Sequence, residues 1–209
     1  MTVEEKCADA KSAFDRIIAS LNNNEPYQDM DLEKLLSYAF DSEMKVCDRC
    51  SYYFNLAGRL PIVRAKLLEI MQNGAARERW LVTIHVFPDH SGTDFCKKII
   101  GLALKDQSVK VSRYGVMRAS SFCFREYIGL IKNIINSEKN MEHKKELTNY
   151  CRYLEEDFIL EKLEDQKYRL RYHHGFLIFE TDIEDNKKLR EYVLEHFANR
   201  IYAGYWTKQ

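Results

Sequence analysis

Asp41-Ser-Glu-Met-Lys-Val46-Cys-Asp-Arg49, Asn73-Gly-Ala-Ala-Arg-Glu78-Arg79-Trp80 and Asp106-Gln-Ser-Val-Lys-Val111-Ser-Arg113 align without gaps. Their first residues lie 32 and 33 positions apart. An apolar segment of helical period precedes each turn and another follows it. A helix–turn–helix unit of this size cannot bury its apolar face alone and stacks on its neighbours. The repeat therefore predicts a mostly α fold, an α-solenoid over residues 1–160.

Working outward, Val3, Cys7, Ala10, Phe14, Ile17, Ile18 and Leu21 fall near a 3.6-residue period and predict a first helix over 3–21. Asn22-Asn-Asn-Glu-Pro26 ends it, and Asp29 or Asp31 can cap the next helix. Helices over 45–56, 62–72, 76–87, 95–105 and 109–124 complete three hairpins, with loops at Gly58–Pro61 and Pro88–Gly92 and a cap at Thr93. A longer, more charged pair over 126–136 and 141–158 reads as a capping unit, since terminal repeats are atypical.

After Leu160 the pattern changes. Tyr168-Arg-Leu-Arg-Tyr172 alternates polar and apolar residues, His173-His174-Gly175 reads as a turn, and Phe176 to Phe179 is β-prone. A small C-terminal β-hairpin is expected there, followed by a helix over Asp185–Asn199 and an aromatic tail, Ile201 to Trp206. Residues 161–209 would form an appendage leaning on the solenoid, because a two-stranded hairpin is marginal alone.

The 209 residues are 45% apolar, enough for a real core, and 32 Lys plus Arg balance 32 Asp plus Glu. Proteins that neutralise many phosphates usually carry a basic excess, so the zero net charge disfavours nucleic acid as the partner. No stretch approaches the roughly 20 apolar residues that span a bilayer, and Met1-Thr-Val-Glu-Glu-Lys-Cys7 lacks the basic start of a signal peptide. A cytoplasmic location without membrane association is expected. Six dispersed cysteines read as reduced core thiols.

The Asp106, Val111 and Arg113 spacing, flanked by Leu102-Ala-Leu104 and Gly115-Val116, resembles a HEAT repeat. The resemblance covers residues 31–122 and implies that the Asp caps the second helix of each pair while the Arg ties neighbouring turns. Asp41 and Val46 keep the spacing, with Arg49 one residue late. Asn73 and Glu78 depart from it, and Arg79 and Trp80 occupy the next two positions. The period is shorter than the ~40–47 residues usual for that family.

Superposing the second helices gives a stripe expected to be exposed. Lys45, Arg77 and Lys110 share one position, then Asp48, Trp80 and Arg113, then Tyr52, Ile84 and Met117. In α-solenoids these helices line the concave face, and a mixture of Trp, Tyr, Met and Arg suits a binding surface. A register shift of one residue, about 100° of helix rotation, would instead turn Trp80 and Ile84 into the core.

Other chemistry-bearing residues have plainer readings. Cys47-x-x-Cys50 lacks the four ligands of a structural zinc site. His173 and His174 suit a surface turn, His85 a buried hydrogen-bonded imidazole, and Glu155, Glu156, Asp157 and Glu161 a solvated face. GxGxxG, P-loop, GxSxG and HExxH motifs are all missing. No catalytic residue, metal or cofactor is assigned. The sequence thus points to a non-enzymatic module that binds another protein through the concave face, an architecture that fits a bacterial inhibitor or immunity-type role. The alternative is a HEAT-like DNA glycosylase, whose basic, Trp-containing cleft Lys45, Arg77, Lys110, Arg113 and Trp80 would suit, with Asp48 as the cleft acid.

Overall fold

The structure is a computed structural model that describes residues 1–156 throughout, the backbone of 158–162, 168–174 and 177–183, and residue 191. Helix α1 (Val3–Asn22) opens with a reciprocal cap: Glu5 N–H donates to Thr2 Oγ1 at 3.2 Å and Thr2 N–H to Glu5 Oε2 at 2.7 Å. It turns Ala10, Ala13, Phe14 and Ile17 inward. Helix α2 (Asp29–Ala39) starts from Gln28, which makes no side-chain cap. Asp31 is therefore not the expected cap. It is 4% exposed and accepts Arg16 Nη2 from α1 at 2.6 Å. Helix α3 (Met44–Ala57) buries Val46, Cys47, Cys50 and Phe54, and α1, α2 and α3 pack mutually.

Helices α4 (Pro61–Asn73) and α5 (Ala76–His85) form the next hairpin. A short α6 (Pro88–Ser91) occupies the expected loop, and Gly92, not Thr93, is the N-cap of α7 (Thr93–Leu104). Then comes α8 (Val109–Ser121). Helix α3 contacts α5 and α6, α4 contacts α5 and α7, and α5 contacts α7. Gly115 lets α8 lie close on α7: a Cβ there would sit 3.1 Å from Leu104 N and 3.2 Å from Ala103 Cβ. Val46 and Val111, equivalent in the repeated turns, are both fully buried. This packed helical body is compatible with a helical repeat.

The chain divides into two compact units, Met1–Ala119 and Ser120–Gln209, so the boundary expected at residue 160 falls inside the second. That unit holds the end of α8, a 3-10 turn (Arg125–Tyr127), α9 (Ile128–Ser137) and α10 (Met141–Glu156), with α9 packed on α10. Ser120 Oγ donates to Tyr150 O at 3.0 Å, and Lys132 pairs with Glu155.

The expected fold class needs correction at the C-terminus. Residues 1–156 are 81% helical, with ten α-helices and no strand, so a helical fold fits, while the expected appendage of a two-stranded hairpin plus helix is replaced by a larger sheet that begins directly after α10. Beyond residue 156 the described backbone forms a three-stranded antiparallel sheet in the order β1 (Phe158–Lys162), β2 (Tyr168–His174), β3 (Leu177–Ile183). β1 takes residues that the charged pattern assigned in part to the end of a helix, because Phe158-Ile-Leu160 pairs with Leu170–Tyr172. His173 and His174 lie within β2, opposite Ile178 and Leu177. Apart from residue 191, the expected helix at 185–199 and the aromatic tail lie outside the described residues.

Candidate functional site

The three repeated turns meet through side chains that cross from one hairpin to the next. In the first turn, Asp41 accepts Glu43 N–H at 2.9 Å and Lys6 Nζ from α1 at 2.9 Å. In the third, Asp106 accepts Ser108 N–H at 2.8 Å and a forked contact from Arg79, Nε at 2.6 Å and Nη2 at 2.9 Å. The two aspartates thus do the same two jobs, satisfying a loose backbone donor at a helix start and binding a cation from a neighbouring helix.

The middle turn is built differently. Asn73 is exposed, and Glu78 reaches back to Ala75 N–H at 2.7 Å to cap α5. Gly74 is wedged in: a Cβ there would sit 2.7 Å from Ile70 O and 3.1 Å from Glu78 Oε2. The turn gives up its aspartate but sends an arginine to each neighbouring turn. Arg79 bonds Gly74 O at 2.6 Å while holding Asp106. Arg77 turns the other way, donating Nη1 to Phe40 O at 3.0 Å and Nη2 to the carbonyls of Asp41 and Ser42. Two residues on a helix are about 200° apart, so arginines of this spacing reach opposite neighbours.

Electrostatics follow from these contacts. The Lys6 hydrogen bond, then Glu43 N–H, hold the Asp41 carboxyl below its ordinary value. Burial pushes Asp106 upward, but Arg79 and Ser108 N–H outweigh it and the carboxyl ends lowered. His85 on α5 is 7% exposed, its ring edge-on to Phe54, and its Nε2 has no partner among the described residues. Burial, reinforced by the Arg118 charge, pushes its pKa down to about 4, so it is neutral at pH 7. Arg118 is held by Ile84 O and lies 4.6 Å over the Phe87 ring.

The expected stripe is kept on one helix and broken on another. Lys45 and Asp48 are exposed on α3, and Tyr52 is 60% exposed. Lys110 is exposed on α8 beside exposed Val109. Trp80, expected at the surface, is only 9% exposed, set edge-on to Tyr114 with Lys110 Nζ 3.3 Å from its ring centroid. Arg77, Ile84, Arg113 and Met117 are half-buried, with Arg77 directed at the first turn's carbonyls. Trp80 is therefore buried rather than part of an exposed stripe. The sequence reading also missed Lys6, whose only signal is an i, i+3, i+4 position on α1 beside the apolar face.

Cys47 donates to Asp41 O at 3.0 Å, and Cys50 lies 4.0 Å, sulfur to sulfur, from Cys7. Among the described residues no group of three or more His, Cys, Asp or Glu side chains is placed to hold a metal ion, and no helix is long and apolar enough to cross a membrane. Comparison with protein-family models, curated proteins and solved structures finds no match to the chain.

Proposed function

We propose that this chain is a non-enzymatic protein-binding module built of HEAT-like helix pairs, and that its recognition surface centres on Lys45, Asp48 and Tyr52 of α3, with Lys110 of α8. The observation that carries the reading is Tyr52. It is a large ring, 60% exposed, on the same helix face as exposed Lys45 and Asp48. Exposed tyrosines anchor protein interfaces because they bury much area at little entropic cost, and flanking charges of both signs select the partner and its register. Turn-to-turn ties through Arg77 and Arg79 support the surface by fixing how far apart successive hairpins sit.

The glycosylase-like alternative gains no support. Its cleft would need Trp80 and Arg77 at the surface, whereas one is buried under Lys110 and the other is directed at backbone carbonyls.

The test is capture from cell extract by immobilised full-length chain, followed by titration of the captured protein against wild type and Tyr52→Ala. A single stoichiometric partner whose affinity falls at least about tenfold on losing the ring is the expected result. Unchanged affinity for Tyr52→Ala, or heparin retention that drops steeply with salt in place of a protein partner, would overturn the reading.

A further inference from the structure

Cys7 and Cys50 are 43 positions apart in sequence, yet their sulfurs lie 4.0 Å from each other across the α1–α3 contact. Cys7 is half-buried and Cys50 is fully buried. The other α3 thiol, Cys47, is engaged with Asp41 O and lies 3.8 Å from Arg77 Nη2. A disulfide needs sulfurs about 2.05 Å apart, and swinging a cysteine between its staggered χ1 wells moves sulfur by more than the difference. Cys7 is thus the more accessible of the pair, Cys50 is fully buried beside it, and the nearest competitor is otherwise occupied.

We propose that Cys7 and Cys50 form a reversible disulfide that locks α1 to α3, made when a peroxide oxidises Cys7. Cys7 thiolate attacks one peroxide oxygen, the O–O bond breaks, and Cys7 sulfenic acid and hydroxide result. The Cys50 sulfur then attacks the Cys7 sulfur. The S–S bond forms as the S–O bond breaks, and the Cys50 proton leaves with the hydroxyl as water. Two thiols are oxidised and one peroxide is reduced to two waters. A small dithiol reverses the bond by exchange.

The roles of the two sulfurs follow from their surroundings. Burial, with neighbouring Cys7 adding to it, pushes the Cys50 thiol up to about 12. Cys50 therefore keeps its proton and leaves the first encounter to Cys7. The bond would close a loop containing all of α2, restricting the unfolded chain most where the first three helices must assemble.

The chain's own tryptic sites make the test direct. Cleavage after Lys6, Lys11, Arg49 and Arg59 releases residues 7–11 and 50–59 and separates Cys50 from Cys47. Full-length protein is treated with hydrogen peroxide, alkylated, digested without reductant and read by mass spectrometry. The expected product is peptide 7–11 joined to peptide 50–59, lost on dithiothreitol treatment, with a melting temperature roughly 10 °C above the reduced protein. In Cys50→Ser, peroxide should leave Cys7 as a dimedone-trappable sulfenic acid with no rise in melting temperature. Oxidised Cys7 with Cys50 still free to alkylate in the wild type, or Cys50 joined to Cys47 instead, would overturn the proposal. The wild-type digest decides the matter even if a variant folds poorly.

Discussion

The first and third turns anchor their helices with an aspartate that binds a cation from elsewhere, while the second has no aspartate and sends arginines outward to both. Asp41 and Asp106 are acceptors fixed to their own backbone, at Glu43 N–H and Ser108 N–H. Arg77 and Arg79 are donors on α5 that reach the first and third turns respectively. A repeat can thus keep its spacing while dividing the anchoring chemistry unequally. Losing the aspartate at Asn73 costs the middle turn little, because Glu78 caps α5 and the charge pairing has moved to its neighbours.

This asymmetry predicts unequal mutational costs. The largest belongs to Asp106→Ala, which leaves a mostly buried guanidinium without its carboxylate and the start of α8 without an acceptor. Chemical denaturation should show a loss of about 3 kcal/mol. At the equivalent position, Asn73→Ala should stay within about 0.5 kcal/mol. Equal losses would erase the distinction between the turns.

Acid titration sharpens the comparison, because Asp41 and Asp106 are carboxylates with lowered pKa values and Asn73, at the equivalent position, does not ionise. Asp41 and Asp106 have lowered pKa values in the folded chain, so below the ordinary carboxylate range the unfolded state binds more protons. Their contribution is full above that range and is lost as pH falls through the folded values. His85 acts earlier. Its folded value of about 4 lies under the ordinary 6.5, so stability declines as pH falls from 6.5 toward 4, by on the order of 3 kcal/mol. His85→Phe should flatten that upper window and leave the lower one, and Asp106→Asn should reduce the lower one only. Melting temperatures between pH 7 and pH 3 separate the two.

The smallest effect is at the middle turn's own cap. Glu78→Ala should cost about 1 kcal/mol and Glu78→Gln less, since the amide oxygen can still accept Ala75 N–H.

Much of the helical body is legible in the spacing. The positions 41, 73 and 106 mark hairpin turns because the apolar helical period stops and restarts there, and Val46 and Val111, five residues into the first and third turns, are both buried. Trp80 was misplaced because a repeat whose turn departs from its neighbours has no fixed rotational register, and one residue is worth about 100°. The direction of Arg77 and Arg79 was not legible, since each is explained only by where another turn sits in space. Asp31 reads as a helix cap from composition alone; its true partner, Arg16, lies on the opposite helix of the hairpin. The Cys7–Cys50 approach depends on how α1 crosses α3, which no local pattern encodes. The first strand, Phe158–Lys162, hides in a charged stretch whose pairing with Tyr168–Tyr172 is a long-range choice.

The central claim is that α5 holds its neighbours at a set distance through charged side chains crossing between turns. A double-mutant cycle on Arg79→Ala and Asp106→Ala, read by equilibrium unfolding of the full chain, tests it most directly. The account predicts a coupling energy of about 2 kcal/mol, because the second substitution costs little once the first partner is gone. Costs that simply add, to within about 0.5 kcal/mol, would contradict it.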